Sequence, residues 1–113
     1  MAKVEITEHL FKEIEKKFKG EAHKVIDLLE TLEENPKKGK RLANVGKIII
    51  KEIKYKSFRF YFIADGFKLK ILKADELKDL LIKFVRMSDK NSQQKTINEI
   101  KNVLRSLGDE GFF

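Results

Sequence analysis

The spacing of apolar residues changes at Asn35-Pro36, and that change limits what this chain can fold into. Up to Asn35-Pro36 the apolar residues recur every three or four positions; from Lys47 to Ile71 they recur mostly every two, before a last helical stretch. A period near 3.6 buries one stripe of a helix, and a period of two buries one face of a strand. A helical half followed by a sheet half predicts an α+β domain.

In the first half, residues 5–19 (EITEHLFKEIEKKFK) place Ile6, Leu10, Ile14 and Phe18 four apart, with Phe11 beside them. Thr7 or the residues before it can cap this helix, and Gly20 interrupts it. Residues 21–34 give a second helix with Val25, Leu28, Leu29 and Leu32 on one stripe. Asn35-Pro36 ends it, because the residue before proline avoids the helical region. Two amphipathic helices joined by a short break form an antiparallel hairpin.

In the second half, residues 36–46 read as a loop and 47–54 (KIIIKEIK) as a strand. Residues 57–63 (SFRFYFI) place Phe58, Phe60 and Phe62 on one face, against the two helices, and Arg59 and Tyr61 on the other. Ala64-Asp65-Gly66 reads as a hairpin turn, followed by a third strand over 67–72 with Phe67, Leu69 and Ile71 inward. Residues 74–87 fit either a helix or a turn and a strand; LLIKFV is apolar on both faces, which favours a central strand from Leu80 to Met87. A last helix over 91–107 carries Ile97, Ile100, Val103, Leu104 and Leu107, and Gly108 stops it. The expectation is one domain over residues 1–113. An N-terminal two-helix hairpin (5–34) packs on a twisted antiparallel sheet of about four strands (47–87), with a C-terminal helix (91–107).

The absence of cysteine excludes disulfides, thiolate metal sites and cysteine nucleophiles. No apolar run approaches the roughly 18 residues that span a bilayer, and the N-terminus lacks the apolar core of a signal peptide. The expected setting is cytoplasmic, with no membrane partner. His9 and His23, the only histidines, fall inside predicted helices without carboxylates at ligand spacing, so no metal or cofactor is expected.

The net charge is +7. Basic chains attract polyanions by counterion release, although a lysine-rich solvated surface gives the same total. The distribution says more. Residues 37–59 hold Lys37, Lys38, Lys40, Arg41, Lys47, Lys51, Lys54, Lys56 and Arg59 against a single acid, Glu52. Arg59 interrupts a very apolar strand, where an unpartnered charge costs several kcal/mol (about 2–7 even for a neutral polar group). Such a residue points to function more than to packing.

Several short blocks stand in a fixed order. Asn35-Pro36 is followed by Gly39-Lys40 and Leu42; Glu52-Ile53-Lys54 is followed by Phe58-Arg59-Phe60-Tyr61; Phe84-Val85-Arg86 closes an apolar strand before a polar stretch and a helix. The chain thereby resembles the RelE-like toxin superfamily, closest to its HigB-like and phage-type branch. The resemblance covers most of residues 20–107, and Met87 departs from it where a second basic residue is usual.

The resemblance implies the toxin of a toxin–antitoxin pair: a metal-independent endoribonuclease acting on mRNA at the ribosome, restrained by a cognate antitoxin. Metal-free cleavage of RNA needs the 2′-hydroxyl deprotonated and the phosphorane charge stabilised. Arginine suits the second task because its planar fork stays charged and grips phosphate. Lysine suits the first where neighbouring cations lower its pKa. By motif position Lys54, Arg59 and Arg86 are the catalytic candidates. Lys47, Lys51, Lys56, Lys83 and Lys90 are expected on the RNA backbone, and Tyr61 on a base.

One departure keeps two alternatives open. Many active members carry His, Tyr or Asp near the C-terminus as acid or base, and this chain has no His or Tyr after Tyr61. Asp89 and Lys90 are the nearest substitutes. The alternatives are a non-cleaving RNA- or ribosome-binding protein of the same fold and a ParE-type gyrase inhibitor. Phe112 and Phe113 are expected to dock on the domain's own surface, or to anchor a partner.

Overall fold

Residues 2–107 are described by a computed structural model. Strand β1 (Lys3–Ile6) leads into helix α1 (Glu8–Phe18), whose start is capped by Thr7 Oγ1 accepting from Leu10 N at 3.4 Å. A 3₁₀ turn at Lys19–Glu21 leads into α2 (Ala22–Glu30), which tightens into a second 3₁₀ turn at Thr31–Glu33. Then come β2 (Lys40–Val45), β3 (Ile48–Tyr55), β4 (Phe58–Asp65), α3 (Gly66–Ile71), β5 (Leu81–Ser88) and α4 (Gln93–Leu107). The tail holding Phe112 and Phe113 lies outside the described residues.

Among the described residues five strands form one mixed sheet in the order β1-β5-β4-β3-β2. The pairs β2–β3, β3–β4 and β4–β5 are antiparallel, and β1 runs parallel to β5 with Lys3 opposite Leu81. The α+β class, the β3–β4 hairpin, β5 and the C-terminal helix agree with the sequence reading.

Three segments differ from it, each for a local reason. Residues 3–6 are a strand, not the first turn of α1; Ile6 keeps helical spacing with Leu10, but pairing with β5 claims its backbone. Residues 40–45 are an edge strand rather than loop, and the ladder shifts register between Arg41 and Ala43, which hides any alternation. Residues 66–71 are a helix, not a strand. Asp65 makes no hairpin turn; its Oδ1 caps α3, accepting from Phe67 N at 3.0 Å and Lys68 N at 3.1 Å. Aspartate is preferred both in tight turns and at N-caps, so Asp65-Gly66 fits either. Of the three residues expected inward there, Leu69 is buried, while Phe67 and Ile71 are exposed.

Each face of the sheet has its own core. On the first, Phe60, Phe62, Ile53, Ile82 and Phe84 pack with Leu10, Ile14, Val25, Leu29 and Leu32 of the helical hairpin. Phe18 seats its ring edge-on against Tyr55 and Phe58, with centroids 5.6 and 5.4 Å apart. On the second, Ile48, Ile50, Tyr61 and Ile63 pack with Ile97, Ile100 and Leu104 of α4. The C-terminal helix thus lies opposite the hairpin, because the residues of β4 on that side are themselves largely apolar.

Candidate functional site

The α4 face is only partly covered by α4. Toward the β3–β4 turn its residues become polar, and the register lays them in two rows across the strands. One row runs Lys40, Glu52, Tyr61, Arg86. The next runs Lys54, Arg59, Ser88. Period-two backbone geometry keeps all seven on one side of the sheet.

A bulge aims one of them. Between Tyr61 and Phe62 the β4–β5 ladder skips a residue, so that Val85 and Arg86 together face Tyr61. Val85 joins the α4 core, and Arg86 follows it onto the same face instead of the opposite one. Bulges commonly re-aim a side chain in this way. Arg86 Nη1 donates back to Val85 O at 3.0 Å.

The centre of the patch is a buried ion pair. Glu52 is 2% exposed, and its Oε2 lies 3.5 Å from Arg59 Nε. Neither of those two atoms has a hydrogen-bond partner among the described residues. Gln93 Nε2, at the start of α4, reaches Glu52 Oε1 at 3.4 Å. A buried carboxylate of this kind needs its cation, since removing one partner strands the other charge. Glu52 was visible in the sequence as the only acid in the basic stretch 37–59; only the pairing shows why it is there.

The expected site residues therefore divide. Lys54, Arg59 and Arg86 share one face, with Lys54 directly opposite Arg59. Tyr61 lies on that face too, but it is fully buried. Its hydroxyl meets Ser88 Oγ at 2.7 Å, and burial pushes its pKa up. That leaves no open ring face for a base, which corrects the stacking expectation. Lys90 is exposed two residues beyond Ser88.

The remaining lysines stand away from that cluster. Lys56 sits at the tip of the β3–β4 turn, with φ +55°, and its Nζ binds Glu21 at 3.0 Å. Lys83, paired with Ile63, shares the α4 face but sits farther along β5, with its Nζ 3.9 Å from Glu5. Lys47, in the β2–β3 turn, is seven residues from Lys54 along β3, or about 23 Å at strand rise. Lys51 points to the opposite face, where it is buried and donates to Lys37 O at 2.9 Å. Asp89 is committed to Ser92, accepting from its backbone N at 2.9 Å, and that bond holds its carboxyl below the ordinary range. The exposed His9 pairs with Glu13 at 3.3 Å on the surface of α1, and His23 is exposed on α2.

Among the described residues no helix is long and apolar enough to cross a membrane. No family model, no curated protein and no solved structure matches the chain.

Proposed function

We propose that the open half of the α4 face binds RNA, and that the protein is a cytoplasmic toxin of the RelE-like kind that cuts mRNA on the ribosome without a metal. The observation that carries this reading is the Lys54–Arg59 pair on adjacent strands beside Arg86, on a rigid sheet. Lys54, Arg59 and Arg86, which stand in the motif blocks, share one face of the sheet. Lys40, Lys54, Arg59 and Arg86 surround the single carboxylate of Glu52, so the patch keeps a cationic excess that attracts phosphate.

The chemistry divides among these groups. Lys54 takes the proton from the 2′-hydroxyl. The 2′-oxygen attacks phosphorus, the bond from phosphorus to the 5′-oxygen breaks, and a 2′,3′-cyclic phosphate remains. The departing 5′-oxygen takes a proton from solvent. Arg59, with Arg86 beside it, stabilises the charge that builds on the phosphorane. Removing a fixed donor of this sort typically costs about 10²–10³ in rate. Glu52 positions Arg59. A cognate antitoxin is the expected partner that restrains the activity.

A second reading has its own support. Asp89 is held ionised and bound to Ser92, so it does not serve as the proton donor that a C-terminal His or Tyr supplies in other toxins. A protein that binds RNA or the ribosome without cutting fits that arrangement. Expression in cells with mapping of mRNA ends separates the readings. Shortened mRNA with new 5′ ends, abolished by Arg59→Ala, supports the nuclease. Ribosome binding with intact mRNA supports the binding protein. Arrested growth with intact mRNA and relaxed or broken DNA supports a gyrase inhibitor and sinks both.

A further inference from the structure

On the other face of the sheet, at the β2 edge, lies a cleft of about 650 Å³. Its floor is the β2–β3 ladder, and its walls are α3 and the loop before β2. Five cations line it (Lys37, Arg41, Lys47, Lys51 and Lys70), and none of the lining residues is acidic. Arg41 stands directly opposite Lys51 across the ladder. Like charges so placed are destabilising, and nothing in the lining neutralises them.

Lys51 is the unusual member. It is 7% exposed, and its ammonium has three donors. One reaches Lys37 O at 2.9 Å. The ammonium also sits 5.9 Å from the centroid of Phe62. Two donors are left without a hydrogen-bond acceptor among the described residues. Burial pushes its pKa down, which is the cost of holding an ammonium there with no anion beside it. Arg41 is braced by Asn44 Oδ1 at 3.3 Å. Beside these cations Ile49 and Leu69 add apolar wall, and Phe67, 60% exposed, projects from α3 at the cleft.

We propose that this cleft binds the phosphate of a nucleotide, with Lys51 and Arg41 on the phosphate and the base against Phe67. The size falls in the range of small-molecule sites, roughly 300–1,000 Å³. A phosphate supplies the acceptors that Lys51 and Arg41 lack, and an exposed aromatic ring beside apolar wall suits a base face. The site is independent of the RNA face: Lys51 and Lys54 belong to opposite sides of β3.

Calorimetric titration of the full chain tests this, with adenosine 5′-monophosphate and inorganic phosphate as probes and amide shifts to locate binding. The nucleotide should bind more tightly than phosphate and shift Gly39, Gly66 and Phe67. Arg41→Ala and Lys51→Met should each weaken it at least tenfold, while Lys54→Ala changes it less than twofold. Phe67→Ala should weaken the nucleotide and leave phosphate unchanged. Arg41 is exposed, so its variant remains informative if Lys51→Met fails to fold. Absence of binding at low salt overturns the proposal, as do shifts centred on Lys54 and Arg59. Equal affinity for the two probes overturns the nucleotide assignment, and so does displacement by a glutamate-rich peptide at lower concentration than the nucleotide needs. Loss of RNA cutting in Arg59→Ala with nucleotide binding intact would show that the two sites stand or fall separately.

Discussion

The two basic regions of this sheet are built on opposite plans. On the α4 face the cations gather round a buried carboxylate, and Glu52 fixes the largely buried Arg59, its side chain 12% exposed, among them. At the β2 edge the cations line a concave cleft with no carboxylate at all, and one of them, Lys51, is itself buried. An internal counterion holds a guanidinium in place for a ligand that comes and goes. Its absence leaves a standing demand for an anion. The first arrangement suits an extended strand of RNA, and the second suits a small ligand that stays.

The largest expected effect falls on the first plan. Arg59→Ala should abolish mRNA depletion, a loss of about a hundredfold or more in rate, read by mapping mRNA ends after induction. It should also lower stability, because Glu52 is left buried without its cation, typically at about 3–5 kcal/mol. The double variant Glu52→Gln/Arg59→Ala should recover much of that stability in denaturant titration and none of the cutting. Arg59→Lys should be nearly as harmful to cutting, since an ammonium makes no bidentate contact. If cutting returned in the double variant, Arg59 would be structural and the comparison would fail.

On binding, as distinct from cutting, a smaller effect is expected from Lys54→Ala. RNA affinity should fall by about tenfold, or ~1.4 kcal/mol, evenly across sequences, and the slope of log affinity against log salt should drop by about one. A filter-binding series at several salt concentrations reads both. Salt-independent binding of the wild type would remove the electrostatic basis of the site.

Lys51 should reveal itself through pH. Its folded pKa lies below the ordinary 10.5, so between those two values the unfolded chain holds more protons than the folded one. Stability attributable to Lys51 therefore rises as pH climbs toward 10.5 and is lost as pH falls through the folded value. Lys56 acts in the opposite sense, its pKa being raised by Glu21. The informative quantity is thus the difference between wild type and Lys51→Met. That difference should shrink as pH rises, and a difference flat with pH would mean that Lys51 is not desolvated. The smallest effect is the control: Lys68→Ala, exposed on α3 and outside both regions, should change stability by less than about 0.5 kcal/mol and leave RNA cutting unchanged.

The sequence showed the α4 patch more clearly than the cleft, for a physical reason. Arg59 stands out because it interrupts an alternating apolar strand, and alternation assigns its face at once. Lys51 lies in KIIIKEIK, where isoleucines occupy both faces, so periodicity is silent about which way it points. Only the pairing of Lys51 with Phe62 settles that, and pairing is set by the register of a neighbouring strand. The same limit hid β1, four residues whose partner lies far along the chain. It hid β2 as well, whose edge position and register shift remove the pattern. Asp65-Gly66 misled for another reason. One dipeptide satisfies both the turn rule and the N-cap rule, and the packing of residues 67–71 decides between them.

The parallel pairing of β1 with β5 also bears on how the protein is made. Ile6 is synthesised about 75 residues before Leu81, where its partner strand begins. At the usual rate of roughly 5–20 residues per second, that is a wait of about 4–15 s. β4, the most apolar strand, is complete at Asp65 and so waits for about 16 of those residues, roughly 1–3 s; until β5 arrives it has one neighbour instead of two and shows an open edge of the kind that recruits foreign strands. A message cut between codons 65 and 81 would yield a chain with that edge uncovered. For a protein proposed to cut messages during translation, its own transcript is within reach, and the fragments it would leave behind are the aggregation-prone ones.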